Sequence, residues 1–163
     1  MFSGTLKVNT LQDTSGNPLD RVGQTISKST TSESSTTSTS YVDISSSLNI
    51  TITPTSTTSK ILFLFSACCQ IDGGRGRYDI HYSVTNTQLG VAQQIAEGTG
   101  SGTGITAIEG AANNNRIVHY SFVHSPATTN AITYKPQHKN PNGNTLATGK
   151  GNPISFTALE LIQ

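Results

Sequence analysis

Apolar side chains recur at every second position in one stretch after another, and almost nowhere at helical spacing. Val42 and Ile44, then Leu48, Ile50 and Ile52, alternate with Asp43, Asn49, Thr51 and Thr53. Tyr78, Ile80, Tyr82 and Val84 alternate with Arg77, Asp79, His81 and Ser83. The same rhythm runs through Val118, Tyr120 and Phe122, through Ile132 and Tyr134, and through Ile154, Phe156 and Ala158. Successive side chains of a strand point to opposite faces, so this pattern specifies strands with one buried and one polar face. Lys60-Ile61-Leu62-Phe63-Leu64-Phe65 differs, because it is apolar on both faces. Such a strand is expected to be covered on both sides, by two sheets or by a sheet and a neighbouring subunit. The one stretch with helix-like spacing is Thr87 to Glu97, where Gly90 and Val91 weaken it.

Turn-forming clusters separate these runs: Asp72-Gly73-Gly74-Arg75-Gly76, Gly98 to Gly102, Asn113-Asn114-Asn115 and Asn140-Pro141-Asn142-Gly143. Six or more short strands with such punctuation predict an all-β fold, an antiparallel β-sandwich or jelly roll. In 163 residues there is room for one such domain, expected over 19–163. Ahead of it, residues 1–18 read as an extended N-terminal arm with the short strand Leu6 to Leu11. A strand that short needs partners, which sister chains can supply. From Ser27 to Ser40 every residue but Lys28 and Glu33 is Ser or Thr. Thr pairs well across sheets, so an exposed edge strand and loop competes there with a flexible linker.

Composition narrows the function classes. Charged residues are 12% and the formal net charge is +1, so the basic excess of a phosphate-neutralising nucleic-acid binder is missing. No apolar run reaches the length of a membrane span, and Met1 to Thr5 lacks the basic-then-apolar start of a secretory signal. Cys68 and Cys69 are adjacent with no third cysteine, so they read as two reduced thiols used as small apolar residues. His81, His119, His124 and His138 form no close ligand pair and no acidic cluster accompanies them, so no metal site is expected. His119 and His124 lie on opposite faces of one strand, and a metal on a trimer axis would need facing imidazoles. Asp72 and Asp79 flank a glycine loop, while Glu97, Glu109 and Glu160 are scattered; no carboxylate pair, nucleophile elbow or complete phosphate loop is present. The expectation is a non-enzymatic protein without catalytic residues or cofactor. Arg75, Arg77, Tyr78, Lys135, His138 and Lys139 are the candidates for contact with a receptor, because such groups stack on sugar rings and hydrogen-bond hydroxyls.

The order of segments also carries a resemblance. Val22-Gly23-Gln24-Thr25-Ile26, the Ser/Thr stretch, Ser40 to Ile44, Ile50 to Pro54, Ser59 to Phe63, Ala131 to Gln137 and Ile154 to Leu161 follow one another as in virion proteins of tailed bacteriophages, especially marine ones. Leu6 to Asn17 is similar to the lead-in that phage fibre proteins carry before a tip domain. The resemblance implies a jelly-roll tip assembled as a homotrimer and displayed on a virion, in contact with other virion proteins and with host surface glycan. It implies a short tail-fibre or appendage component in host attachment, with a capsid decoration, cement or head-fibre protein as the alternative. A glycan-binding or glycan-degrading protein is the third reading. The arm residues Leu6, Val8 and Leu11 would anchor it, and Ile61, Phe63 and Phe65 would pack the core or a subunit contact. A domain poor in hydrophobic residues gains much from apolar burial between copies, at ~25 cal/mol per Å².

Overall fold

Residues 22–84, 93–94, 106–109 and 114–162 are described by the computed structural model. Their strands are β1 (Val22–Thr30), β2 (Ser34–Thr36), β3 (Val42–Asp43), β4 (Ile50–Ile52), β5 (Lys60–Ile71) and β6 (Arg75–Val84). They continue with β7 (Gln93–Gln94), β8 (Thr106–Glu109), β9 (Asn114–His124), β10 (Ile132–Lys139), β11 (Leu146–Thr148) and β12 (Ile154–Leu161). Every pairing between them is antiparallel. Four of the partners are broken strands laid end to end: β1 with β2, β3 with β4, β7 with β8, and β11 with β12. Counted that way, the first sheet runs β1/β2, β11/β12, β5, β9, and the second runs β3/β4, β10, β6, β7/β8. The chain crosses between the sheets at every connection except the hairpin from β6 into β7/β8. That order is the eight-stranded jelly roll, and the fold class expected from the alternation is the one observed.

Local chemistry explains the breaks. Between β3 and β4 the chain leaves the ladder in a short 3-10 turn, Ser46–Leu48, whose cap Ser45 accepts from the Ser47 amide at 3.3 Å. Opposite that gap lies Pro136, in the middle of a central strand. Its carbonyl accepts from the Ile44 amide at 3.1 Å, so its nitrogen also faces the gap, where no ladder donor is required. Between β11 and β12 the break is made at Gly149, with φ +87, whose amide and that of Lys150 both donate to the Cys68 carbonyl. A Cβ there would stand 2.9 Å from the Ile154 side chain, so only glycine fits.

The core lies between the sheets and is built on β5. Ile61, Phe63, Phe65, Cys69 and Ile71 face inward and are at most 2% exposed. Phe63 meets Tyr134 of β10 at 4.6 Å between ring centroids and Phe156 of β12 at 5.7 Å. Phe65 stacks on Tyr120 of β9 at 4.8 Å and contacts Tyr78 of β6 at 5.9 Å. The two phenylalanines therefore tie both sheets together, each contributing about 1.5–3 kcal/mol from burial alone.

One end of the sandwich is closed by a buried carboxylate. Glu160 of β12 accepts from the Thr55 amide at 2.6 Å, the Thr55 hydroxyl at 2.7 Å and Gln24 Nε2 at 2.8 Å. Gln24 Nε2 also donates to the Thr53 carbonyl at 2.6 Å, so β1, β12 and the loop after β4 are joined at one point. Burial opposes the charge, but the bonds from Thr55 and Gln24, with Ser59 beside them, outweigh it and lower the Glu160 pKa.

Two details of the expectation change. Gln93–Gln94, inside the stretch with helix-like spacing, is strand β7 paired with β6, because ladder pairing outweighs a weak helical pattern broken by glycine; the rest of Thr87 to Glu97 lies outside the described residues. So do the arm, with Leu6, Val8 and Leu11, and the glycine run Gly98 to Gly104. The Ser/Thr stretch is strand through Thr30 and again at Ser34–Thr36, and among the described residues it is an edge paired with β12 and β11 alone.

Phe63→Ala is expected to cost about 3–5 kcal/mol in denaturant unfolding, the range for an aromatic removed from a core. Glu160→Gln is expected to cost about 1.5–3 kcal/mol through its charged hydrogen bonds, and most of that loss should vanish in acid, where wild-type Glu160 is itself protonated.

Candidate functional site

The two outer faces of the sandwich differ in chemistry. On the β3/β4–β10–β6 sheet the outward positions are polar and engaged within the chain. Asp43 receives Gln137 Nε2 at 2.6 Å and pairs with Lys135 Nζ at 3.6 Å. Lys139 Nζ lies 4.2 Å from the centre of the Tyr41 ring, which in turn contacts His81 at 5.2 Å. Thr51 and Thr133 bond across the strands at 2.8 Å.

This arrangement corrects the set of receptor-contact candidates. Tyr78 and His138 are 0% exposed, because both sit at inward positions of β6 and β10. Arg77 points outward yet is only 8% exposed. None of the three is presented for contact. Lys135 and Lys139 are half-buried and already engaged with Asp43 and Tyr41, and only Arg75 is exposed. Of the two acidic groups flanking the glycine loop, Asp72 is exposed, while Asp79 is buried with Oδ1 accepting from the Ile80 amide at 2.7 Å.

Inside the sandwich, Tyr78 and His138 join a polar chain. The Thr148 hydroxyl bonds the Tyr78 hydroxyl at 2.9 Å and His138 Nδ1 at 2.8 Å, while His138 Nε2 is buried without a partner. Burial pushes the His138 ring down from an ordinary 6.5 to about 4. It also lowers His124, whose Nδ1 meets the Tyr134 hydroxyl at 3.0 Å, and His81. Nearby, Cys69 is free and buried, its thiol donates to the Arg116 carbonyl at 3.3 Å, and burial raises its pKa to about 11. A thiol held neutral in this way is unreactive. Among the described residues no group of three His, Cys, Asp or Glu side chains comes together to hold a metal.

The outer face of the other sheet has the opposite character. Outward on β5 are Leu62, Leu64, Ser66, Cys68 and Gln70; on β9, Ile117, His119, Ser121 and Val123; on β12, Ser155, Thr157 and Leu159. Leu62 lies between Val123 and Leu159, and Cys68 lies opposite Ile117. Leu64 is 44% exposed, Val123 46% and Ile117 70%. Two shallow depressions of about 510 and 520 Å³ indent this face and meet at Ser66 and His119. The first is edged by Leu64, Ser121 and Thr157, and the second by Cys68, Ile117, Asn152 and Pro153. The one charged side chain at an outward position of these three strands is Lys60, half-buried at the first residue of β5; from Leu62 to Gln70 none stands there.

Ile61, Phe63 and Phe65 are core residues, and the positions that alternate with them, Leu62 and Leu64, form the uncovered side of the same strand. The sequence reading passed over Ile117 and Val123. The signal that finds them is phase: both are out of step with the inward Val118, Tyr120 and Phe122.

No family model matches this chain, and no curated protein sequence does. Solved structures similar to it include the infectious bursal disease virus Gx strain, at 11% identity and a TM-score of 0.46 over all of this chain. A crystal structure of the infectious bursal disease virus VP2 subviral particle matches at 13% identity and 0.44 over 90% of this chain, and T=1 particles derived from that virus at 13% and 0.43 over all of it. This chain spans about two fifths of the length of those proteins, 42%, 39% and 41% respectively. The jelly-roll assignment stands on the strand pairings themselves.

Because His138 is harder to protonate folded than unfolded, the unfolded chain binds more protons below pH 6.5, and stability must fall as pH drops from 6.5 towards about 4. His124 and His81 act in the same direction. Thermal melts across that window should show the decline, and His138→Asn should flatten it. A wild-type midpoint unchanged over the window would refute the assignment.

Proposed function

We propose that this chain is a non-enzymatic structural protein of a virion that assembles with copies of itself. The observation that carries the reading is the jelly-roll strand order, running through the same segments, Val22 to Leu161, whose succession resembles tailed-phage virion proteins. A fold alone does not assign a role. Here the fold and the segment resemblance agree, and no constellation of side chains among the described residues suggests chemistry.

Within that reading, the first form is a trimeric short tail-fibre or appendage component in host attachment, with the arm as anchor. The second is a capsid decoration or head-fibre protein, and one observation favours it. Arg77, Tyr78 and His138 are buried and Lys135 and Lys139 are engaged within the chain, so the sandwich surface offers few of the groups expected to hold a host glycan.

Labelling the protein on intact particles and viewing them by electron microscopy tests both forms. Label at the tail is expected for an appendage, and label spread over the head for a decoration. Particles that carry no label would overturn the virion reading.

A further inference from the structure

The outer face of β12, β5 and β9 is built like the inside of an interface and is covered by nothing else in the described chain. We infer that a second copy of this chain docks on it. The inference deepens the reading above and rests on its self-assembly, not on its place in the virion.

Charge is the first reason to choose a second copy as the occupant. Where a surface meets its own duplicate about a two-fold axis, a charge near the axis faces its own copy, and like charges juxtaposed across an interface are costly. From Leu62 to Gln70 on β5, and on the flanking outward positions of β9 and β12, there is no such charge to oppose; Lys60 stands at the edge of the face, where β5 begins. The other sheet's outer face carries Asp43, Lys135 and Lys139, and those are already satisfied within the chain. Depletion of charge with retention of apolar groups is also what distinguishes the centre of an interface from ordinary surface.

Shape is the second reason. The face carries both projections and recesses. Ile117 projects with 70% of its surface exposed, and Leu64 and Val123 with nearly half of theirs. Beside them are the depressions that meet at Ser66 and His119. A contact between identical surfaces needs a projection and a recess on one patch, so that each copy fills the other.

Extent is the third. Nine residues of β5 at ~3.3 Å each, across three strands ~4.8 Å apart, give the face a flat projection on the order of 400 Å², about half of the ~800 Å² that one partner contributes to a standard interface before side-chain relief is added.

Sedimentation of the full chain over a range of concentrations tests the inference. Wild type is expected to run as a multiple of the monomer, and Leu64→Asp and Ile117→Asp are each expected to raise the dissociation constant roughly 30-fold or more, as loss of an interface hot spot does. Thr51→Asp, on the opposite sheet's face, should leave assembly unchanged. Far-UV circular dichroism shows whether each variant is folded. Independently of any variant, Cys68 lies on the face, so its alkylation by a maleimide should slow as wild type is concentrated, with the buried Cys69 unreactive throughout. A monomeric wild type, an assembly that both aspartates leave intact, or a Cys68 equally reactive in the assembly and the monomer would each overturn the inference. A monomeric wild type would overturn self-assembly as well, whereas an assembly that both aspartates leave intact overturns this face alone, and neither result bears on whether label appears on particles.

Discussion

The structure depends on the two-sided apolarity of β5. Its odd positions from Ile61 to Ile71 enter the core and its even positions Leu62 and Leu64 face away from it. The inward set holds the two sheets together through Phe63 on Tyr134 and Phe65 on Tyr78. It also sets the register of its neighbours, because β12, β11 and β9 all pair with this strand. A slip of one residue would put leucines where the phenylalanines pack and would disturb both faces at once. A domain only 33% hydrophobic has little reserve for such an error.

Around that strand, polar groups carry an unusual share of the closure. Glu160 joins β12, β1 and the loop after β4 at one end, and Thr148 links Tyr78 to His138 inside the sandwich. A buried polar group costs free energy unless bonded, so these bonds favour the geometry that makes them. They also make the domain sensitive to acid, since the buried histidine must gain a proton that the fold does not accommodate.

The two outer faces contrast in chemistry. One is charged, with its ion pair and hydrogen bonds made inside the chain; the other is partly apolar and free of charge from Leu62 to Gln70, with projections beside recesses. Tyr78 and His138 left the candidate receptor set for a related reason. Residues close together in sequence, such as Arg77 and Tyr78, alternate between faces, and a strand that continues into a glycine loop carries its neighbours into the core.

Much of this was legible beforehand. Two-residue alternation and turn clusters specified an antiparallel sandwich, because the period of side-chain direction is a local property of an extended chain. Phase within the strands also marked Tyr134 as inward and held the clue to Ile117 and Val123, whereas β5, apolar on both faces, left Phe63 and Phe65 open between the core and a subunit contact. Other features were decided only by the tertiary structure. Pro136 is tolerated in a central strand because a distant segment, Ser46–Leu48, leaves the ladder opposite it. Glu160 is buried because Thr55 and Gln24 converge on it from far along the chain, and His138 is internal because β6 and β10 present one face to the core. Pattern along a chain determines which way a side chain points, but what it points at depends on contacts between segments remote in sequence, and only the folded packing brings those together.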